Sequence, residues 1–553
     1  MALAKTLMIQ GTASHVGKSM MTVALCRILR NRGYRVAPFK SQNMSNNSYV
    51  TPEGLEVARA QAVQAEACGL EPCVEMSPIL LKPESDMRVQ AVVMGKPWRN
   101  APCLFDNHYR MVFEPVVLAA LQKLRREYEV VVIEGAGSPA EVNLKKRDIV
   151  NMRIAQAVRA PVVLVGNIDW GGVFAQFVGT MELLTTSEQK RVKAFLINKF
   201  RGSLELLKPG LTWLERRTHR KVLGVVPYLT DLGLAEEDSL PEKDGHRLPA
   251  ANPNPAKLRA PNINVILRLD RRIRGGDSRL RGNDTGVLLG DLSGGRDDLL
   301  IDVVWLPRLS NFTDFDLLAR WPKVTLRYLQ KPDRHRIPDL IILPGTKSTI
   351  ADLEFLRKTG LADHLMRCAR AGTWIFGVCG GYQMLGEKIF DPGQVESSQK
   401  ECRGLGLLPV VTHFQSQKKT CRVRGVHLAS GVTVQGYEIH MGETRLRRKL
   451  KPLFNILERN AHPVNAEPEG VMLETGGPGG TKIFGTYLHG LFENAGFLHE
   501  FLNERRLALG LDAQPLEQLP DGVTKDDAVY DQLAQKVESS LDMDFLLKII
   551  REQ

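Results

Sequence analysis

Short apolar runs alternate with amphipathic stretches of helical period through the first part of the chain, the pattern of strands covered on both faces and joined by crossover helices. It predicts strands at Thr6–Gln10, Tyr34–Pro38, Val130–Ile133, Pro161–Val165, Ala194–Ile197 and Val222–Val226, with a helix over Met20–Arg30. From about Leu240 to Arg296 the alternation stops. Pro241, Pro249, Pro253, Pro255 and Pro261 punctuate that stretch, and Arg272-Ile-Arg-Gly-Gly-Asp277 nearly repeats as Arg279-Leu-Arg-Gly-Asn-Asp284. The alternation resumes at Ile301–Pro307, with strands predicted at Val324–Leu329, Leu340–Leu343 and Trp374–Val378; beyond Phe501 the chain reads as helical and peripheral. The expected architecture is α/β: a parallel-sheet domain over 1–240, a linker with a basic low-complexity insertion over 241–299, a second α/β domain over 300–500 and a helical tail over 501–553.

Composition adds boundaries. A chain of 553 residues exceeds what one hydrophobic core supports, and 43% hydrophobic with 25% charged residues is ordinary for a globular protein. No apolar run is long enough to span a bilayer, and Met1–Gln10 leads into a glycine loop without a small-residue cleavage site, so a cytoplasmic protein is expected. Half of the formal charge of +12 lies between Arg247 and Arg296. That segment lacks aromatic residues to stack on bases, so no nucleic-acid partner is expected. Eight cysteines, none spaced C-x-x-C, are too sparse for a disulfide framework, and Cys68 and Cys73 have no histidine nearby to complete a zinc site.

Two stretches carry chemistry. After the first strand comes Gly11-Thr12-Ala-Ser-His-Val-Gly17-Lys18-Ser19 and then a helix. Such a loop turns backbone amides and a helix N-terminus toward phosphates, with Lys18 neutralising the outer ones and Ser19 able to hold Mg²⁺. Five residues separate its glycines where the common pattern has about four, a spacing that resembles the dethiobiotin synthetase-like branch of the P-loop fold. Glu134, ending the strand Val130–Ile133, is a second candidate for Mg²⁺, and Asp169 is placed to ligate or to orient substrate. Lys40, Gln42 and Asn43 open a polar stretch that suits recognition of an acyl substrate and its phosphate, and equally suits a plain turn cluster. Asn198, after Ala194–Ile197, is a candidate reader of the nucleotide base.

The second stretch is Thr373–Gly386, where an apolar run ends on Cys379 among Gly377, Gly380 and Gly381 and a helical pattern follows at once. This is the shape of a nucleophile elbow, whose helix N-terminus favours thiolate. Gly345, in a glycine turn before a helix, and Gly380 are candidate oxyanion donors. His489, in Gly485–Glu493, is the candidate base, and His440 is its rival. A cysteine glutaminase fused to a P-loop domain suggests an amidotransferase that releases ammonia at one site and uses it at another.

The sequence resembles the cobyric acid synthase family, glutamine-dependent amidases of corrin biosynthesis, over about residues 5–240 and 300–500. The resemblance rests on Gly11–Ser19, Pro38–Thr51, Ala60–Glu66, Leu80–Pro83, Glu134–Pro139, Leu306–Asp314, Gly377–Gly386, Gly436–Gly442 and Gly485–Phe492. It implies amidation of the b, d, e and g carboxylates of adenosylcobyrinic acid a,c-diamide. Each carboxylate would be activated as an acyl phosphate by MgATP at Lys18, Ser19 and Glu134, with ammonia from L-glutamine hydrolysed by Cys379 and His489. The implied partners are the corrinoid, glutamine and ATP with Mg²⁺, without a tightly bound prosthetic group; homo-oligomerisation is left open. Cobyrinic acid a,c-diamide synthase, which shares both domain types, is the nearest alternative, and a partition-type ATPase switch is a remote one. Many class I amidotransferases carry glutamate two residues after the histidine, but Leu491 stands there. No third triad member is therefore assigned, and Glu493 is a candidate only.

Overall fold

The computed structural model describes residues 3–85, 88–98, 108–229, 297–475, 480–515 and 527–553. The segment 247–296, read above as an insertion, lies outside the described residues.

The first sheet has six parallel strands, in the spatial order Lys221–Pro227, Val192–Phe200, Val162–Asn167, Lys5–Gly11, Val130–Glu134 and Val36–Phe39. Their side chains alternate between two apolar layers, as a period of two requires. Met8, Ile133, Leu164 and Phe195 enter one layer, and Leu7, Ile9, Val132, Val163 and Leu196 enter the other. The second layer is closed by the helix Lys18–Asn31 and by two helices from the far end of the sequence, Asp527–Glu538 and Met543–Arg551. Leu533 and Leu546 there are fully buried, and Arg27 of the first helix pairs with Asp531 at 2.7 Å. The last two helices are thus part of the first domain's core and not peripheral. Their apolar residues recur at helical spacing, but only the fold shows which layer they cover.

The second sheet runs Val324–Leu329, Leu299–Val304, Leu340–Leu343, Trp374–Val378, Thr481–Thr486 and Val471–Thr475; only the last is antiparallel to its neighbour. A further sheet is built on the long antiparallel pair Val410–His427 and Thr433–Leu446. Its register slips between Phe414 and Lys419, and Lys418 from that irregular stretch pairs with the buried Glu56 of the N-terminal half, which also takes the Lys82 ammonium at 2.7 Å. Burial alone would raise the Glu56 carboxyl, but Lys418 and Lys82 hold it well below the ordinary carboxylate range. A four-stranded sheet of Gln42–Met44, Ile79–Ser85, Arg88–Val93 and Lys96–Trp98 flanks the first domain. The polar sequence of Gln42–Met44 gives no strand signal. Among the described residues no helix is long and apolar enough to cross a membrane.

Both reactive stretches sit at the carboxyl ends of parallel strands, where open α/β sheets bind ligands. In the first sheet Ile9 lies opposite Glu134 and Gly11 opposite Val165, so Glu134 borders the phosphate loop. In the second, Leu343 lies opposite Gly377 and Val378 opposite Thr486, bringing the segments before Gly345, Cys379 and His489 to one edge.

Candidate active site

The phosphate loop is held open by its own backbone. Gly17 has φ +95°, a conformation that favours glycine, and a Cβ there would meet Asn198 Nδ2 at 2.2 Å. Lys18 Nζ donates to the carbonyls of Ala13 at 3.1 Å and Gly137 at 3.3 Å, which fixes the ammonium over the loop. Ser19 Oγ donates to Glu134 Oε1 at 2.7 Å, and Lys40 Nζ reaches the same oxygen at 3.0 Å; Gln64 Nε2 donates to Oε2. Burial pushes the Glu134 carboxyl up, and the Lys40 ammonium with the hydrogen bonds from Ser19, Gln64 and Lys40 pulls it below the ordinary carboxylate value. An ionised carboxylate beside a hydroxyl is an all-oxygen donor set that fits a hard divalent cation.

A cavity of about 570 Å³ opens from this loop and is lined by Gly17, Lys18, Ser19, Lys40, Gln42, Asn43 and Glu134 among others. Gln42 accepts from the Tyr109 hydroxyl, and Asn43 Nδ2 donates to Gln61 Oε1 at 3.1 Å. Three sequence candidates lie elsewhere. Thr12 donates its hydroxyl to Gln176 at 2.9 Å. Asn198 is buried beneath the loop and donates to the Val16 carbonyl at 2.9 Å, so it braces the loop and does not line the cavity. Asp169 faces Arg201 at 3.4 Å, also outside the cavity lining. Both strands were legible in sequence, but they run on to Asn167 and Phe200, and the directions of the side chains were not legible.

At the elbow Cys379 has φ 51° and ψ −109°, strain of about 1–3 kcal/mol for a residue with a Cβ. Its N–H is held by the Thr486 carbonyl at 2.8 Å, and the helix Gly380–Leu385 follows directly. Glycine is required beside it: a Cβ on Gly381 would lie 1.9 Å from the Leu343 carbonyl oxygen. The thiol lies 3.6 Å from the Ile439 carbonyl oxygen, between Glu438 and His440 on the long hairpin. Gly380 packs on Thr346, whose amide would be 3.1 Å from an added Cβ. Gly345 gives room to the histidine: a Cβ there would meet His489 Cε1 at 2.8 Å.

His489 is 1% exposed, and its Nδ1 lies 2.7 Å from Asp314 Oδ2; the other carboxylate oxygen accepts from the Gly490 N–H at 3.0 Å. Burial lowers the imidazole, but the Asp314 carboxylate and the Cys379 side chain outweigh it and raise His489 to about 10. Tyr437 stacks on the ring at 5.5 Å. The rival His440 makes its contacts within its own hairpin, to the Gly442 carbonyl at 2.7 Å and Glu438 at 3.4 Å, and stacks on Tyr487. The carboxylate that orients His489 is therefore Asp314, supplied from 175 positions upstream. Glu493 turns away to Arg59 of the first domain at 2.9 Å, and Leu491 is buried in the core. Asp314 belongs to the polar run Ser310, Asn311, Thr313 and Asp314, all of them buried in the fold.

A phosphate loop with an oxygen donor pair on one sheet and a Cys–His–Asp set on the other make two separate candidate reaction sites in one chain. Residues 7–242 match the family described as CobQ/CobB/MinD/ParA nucleotide binding domain, and residues 300–497 match the CobB/CobQ-like glutamine amidotransferase domain. The chain is thus a glutamine-dependent amidotransferase of the ligase type. It is similar over nearly its whole length to curated proteins named cobyric acid synthase. That of Desulforamulus reducens is 45% identical, covering 98% of this chain and 97% of the relative. Those of Dehalococcoides mccartyi and Thermoanaerobacter sp. are 44% and 43% identical, covering 100% and 99% of this chain and 99% of each relative. The chain belongs to the cobyric acid synthase family.

Proposed function

We propose that the protein amidates the b, d, e and g carboxylates of adenosylcobyrinic acid a,c-diamide, using ATP and glutamine. The observation that carries this reading is the pairing of two built sites in one chain of this family: the cavity around Lys18, Ser19 and Glu134, and the Cys379–His489–Asp314 set. A carboxylate is a poor electrophile until its oxygen becomes a leaving group, so phosphorylation by ATP comes first, and ammonia then displaces phosphate. Ser19 and Glu134 would hold Mg²⁺, which when bound neutralises phosphate charge. Lys18 and Lys40 stabilise the charge that develops on transfer.

In the glutaminase half, Cys379 attacks the glutamine amide carbon to give a glutamyl thioester. His489 carries the proton to the departing ammonia while Asp314 holds the imidazole tautomer and its positive charge. Water then releases glutamate. Amides of the Gly345 and Gly380 segments are the candidate donors to the oxyanion. Incubation with ATP, glutamine and the a,c-diamide corrinoid, read by mass spectrometry, tests the reading. The expected product carries four new amides; an unreacted a,c-diamide overturns it.

A further inference from the structure

Arg59 begins the helix Arg59–Ala67 and is 8% exposed. One guanidinium nitrogen, Nη2, reaches Glu493 Oε1 at 2.9 Å, and the plane sits 5.0 Å over the Tyr49 ring. Its Nε and Nη1 are buried without a hydrogen-bond partner. Thr313, 5% exposed, likewise has a buried hydroxyl without a partner, and both residues line the cavity that holds Lys18 and Glu134. Native folds rarely leave such donors unmet, and a residue that only tied two halves together would not need them. Arg59 comes to this cavity from the first half of the chain and Thr313 from the second, so the two halves meet at its lining. Thr313 shares a short turn with Asp314, and Glu493 follows His489 by four positions in sequence.

We propose that Arg59 and Thr313 form the oxyanion site that holds the acceptor carboxylate at the boundary with the glutaminase. The inference rests on the amidation reading above and extends it to a site for the group being activated. Guanidinium N–H groups suit a carboxylate or its acyl phosphate, both oxyanions that offer oxygens in pairs to the guanidinium fork. Because the same guanidinium holds Glu493 and Thr313 adjoins Asp314, filling the site also bears on the segment that carries His489. Acceptor binding therefore adjusts glutamine hydrolysis.

The test uses the full-length protein with ammonium chloride as nitrogen donor, which removes glutamine chemistry from the assay. Arg59→Gln is expected to raise KM for the a,c-diamide corrinoid about tenfold or more while KM for ATP stays within about twofold; Thr313→Val should raise the acceptor KM by a smaller factor. With glutamine as donor, Arg59→Gln should also lower the ratio of glutamate release with and without ATP plus acceptor. An unchanged acceptor KM in both variants overturns the proposal. A rise confined to the ATP KM overturns it too, because the oxyanion is then a nucleotide phosphate. Thr313→Val keeps the Arg59–Glu493 pair, so it decides the matter if Arg59→Gln does not fold. A wild-type protein that makes no amide from ammonium sinks the functional reading and this site with it, whereas an active wild type with unaltered variants sinks the site alone.

Discussion

His489 and Asp314 are joined by a 2.7 Å contact between Nδ1 and Oδ2, and Asp314 also receives the amide of the next residue, Gly490, at 3.0 Å. The carboxylate thus fixes both the ring and the backbone that presents it. Asp314→Asn should reduce glutamine-dependent glutamate release by about 100-fold or more, the scale of general acid–base catalysis. Amidation with added ammonium salt should continue. Equal loss of both activities would refute the orienting role.

The same pair sets a pH dependence. Burial lowers the His489 imidazole, but Asp314 and Cys379 raise it to about 10, above its unfolded value near 6.5. Stability from the protonated ring is then fully present below about pH 6.5 and lost as pH rises through about 10. The stability gap between wild type and Asp314→Asn is expected to narrow over that window. Urea midpoints at about pH 6 and about pH 10 measure it, and a constant gap would contradict the linkage.

Gly345→Ala places a methyl 2.8 Å from His489 Cε1 and 3.3 Å from Ser310 Oγ. The ring cannot retreat freely because Nδ1 is tied to Asp314. Overpacking of this kind costs about 1–3 kcal/mol, and glutaminase activity should fall about tenfold while ammonia-dependent amidation is kept. Thermal unfolding and glutamate release would show both effects; a variant with full glutaminase activity would mean that the ring has room to shift.

Cys379→Ala is expected to abolish glutamine-dependent amidation and to spare activity with ammonium salt. Lys18→Ala should eliminate both, since it removes phosphate stabilisation. Failure of ammonia to rescue a folded Cys379→Ala would break the division of labour between the sites, and residual activity in Lys18→Ala would break the assignment of the phosphate loop.

Leu546 is fully buried against the first domain although it lies in the helix Met543–Arg551. Leu546→Ala should cost about 2–5 kcal/mol and weaken ATP binding along with stability. Denaturant unfolding and nucleotide titration would reveal it; a wild-type midpoint would mean that the helix contributes little.

The six strands of the first sheet, four of the six in the second, the phosphate loop and the cysteine elbow were legible because each is a local pattern: an apolar run, a glycine spacing, a helix that follows. Asp314 was not, because what makes it a partner of His489 is that Leu299–Val304 and Thr481–Thr486 lie in one sheet, a relation that no local window contains. Asn198 and Asp169 were placed near strand ends, though the strand carrying Asn198 runs on to Phe200, and the side chain of one turns under the loop and that of the other toward Arg201. Glu493 illustrates the same limit: it is near His489 in sequence, but its charge is claimed by Arg59.

The helices that close the first domain's core have a consequence for the order of synthesis. The ribosome makes Lys18–Asn31 well before Asp527–Arg551, with residues 300–500 between them, so the apolar face shared by Met21, Leu25 and Leu546 lacks its late helices while the intervening domain is translated. The first domain's core is complete only once Asp527–Arg551 has emerged and packed on it.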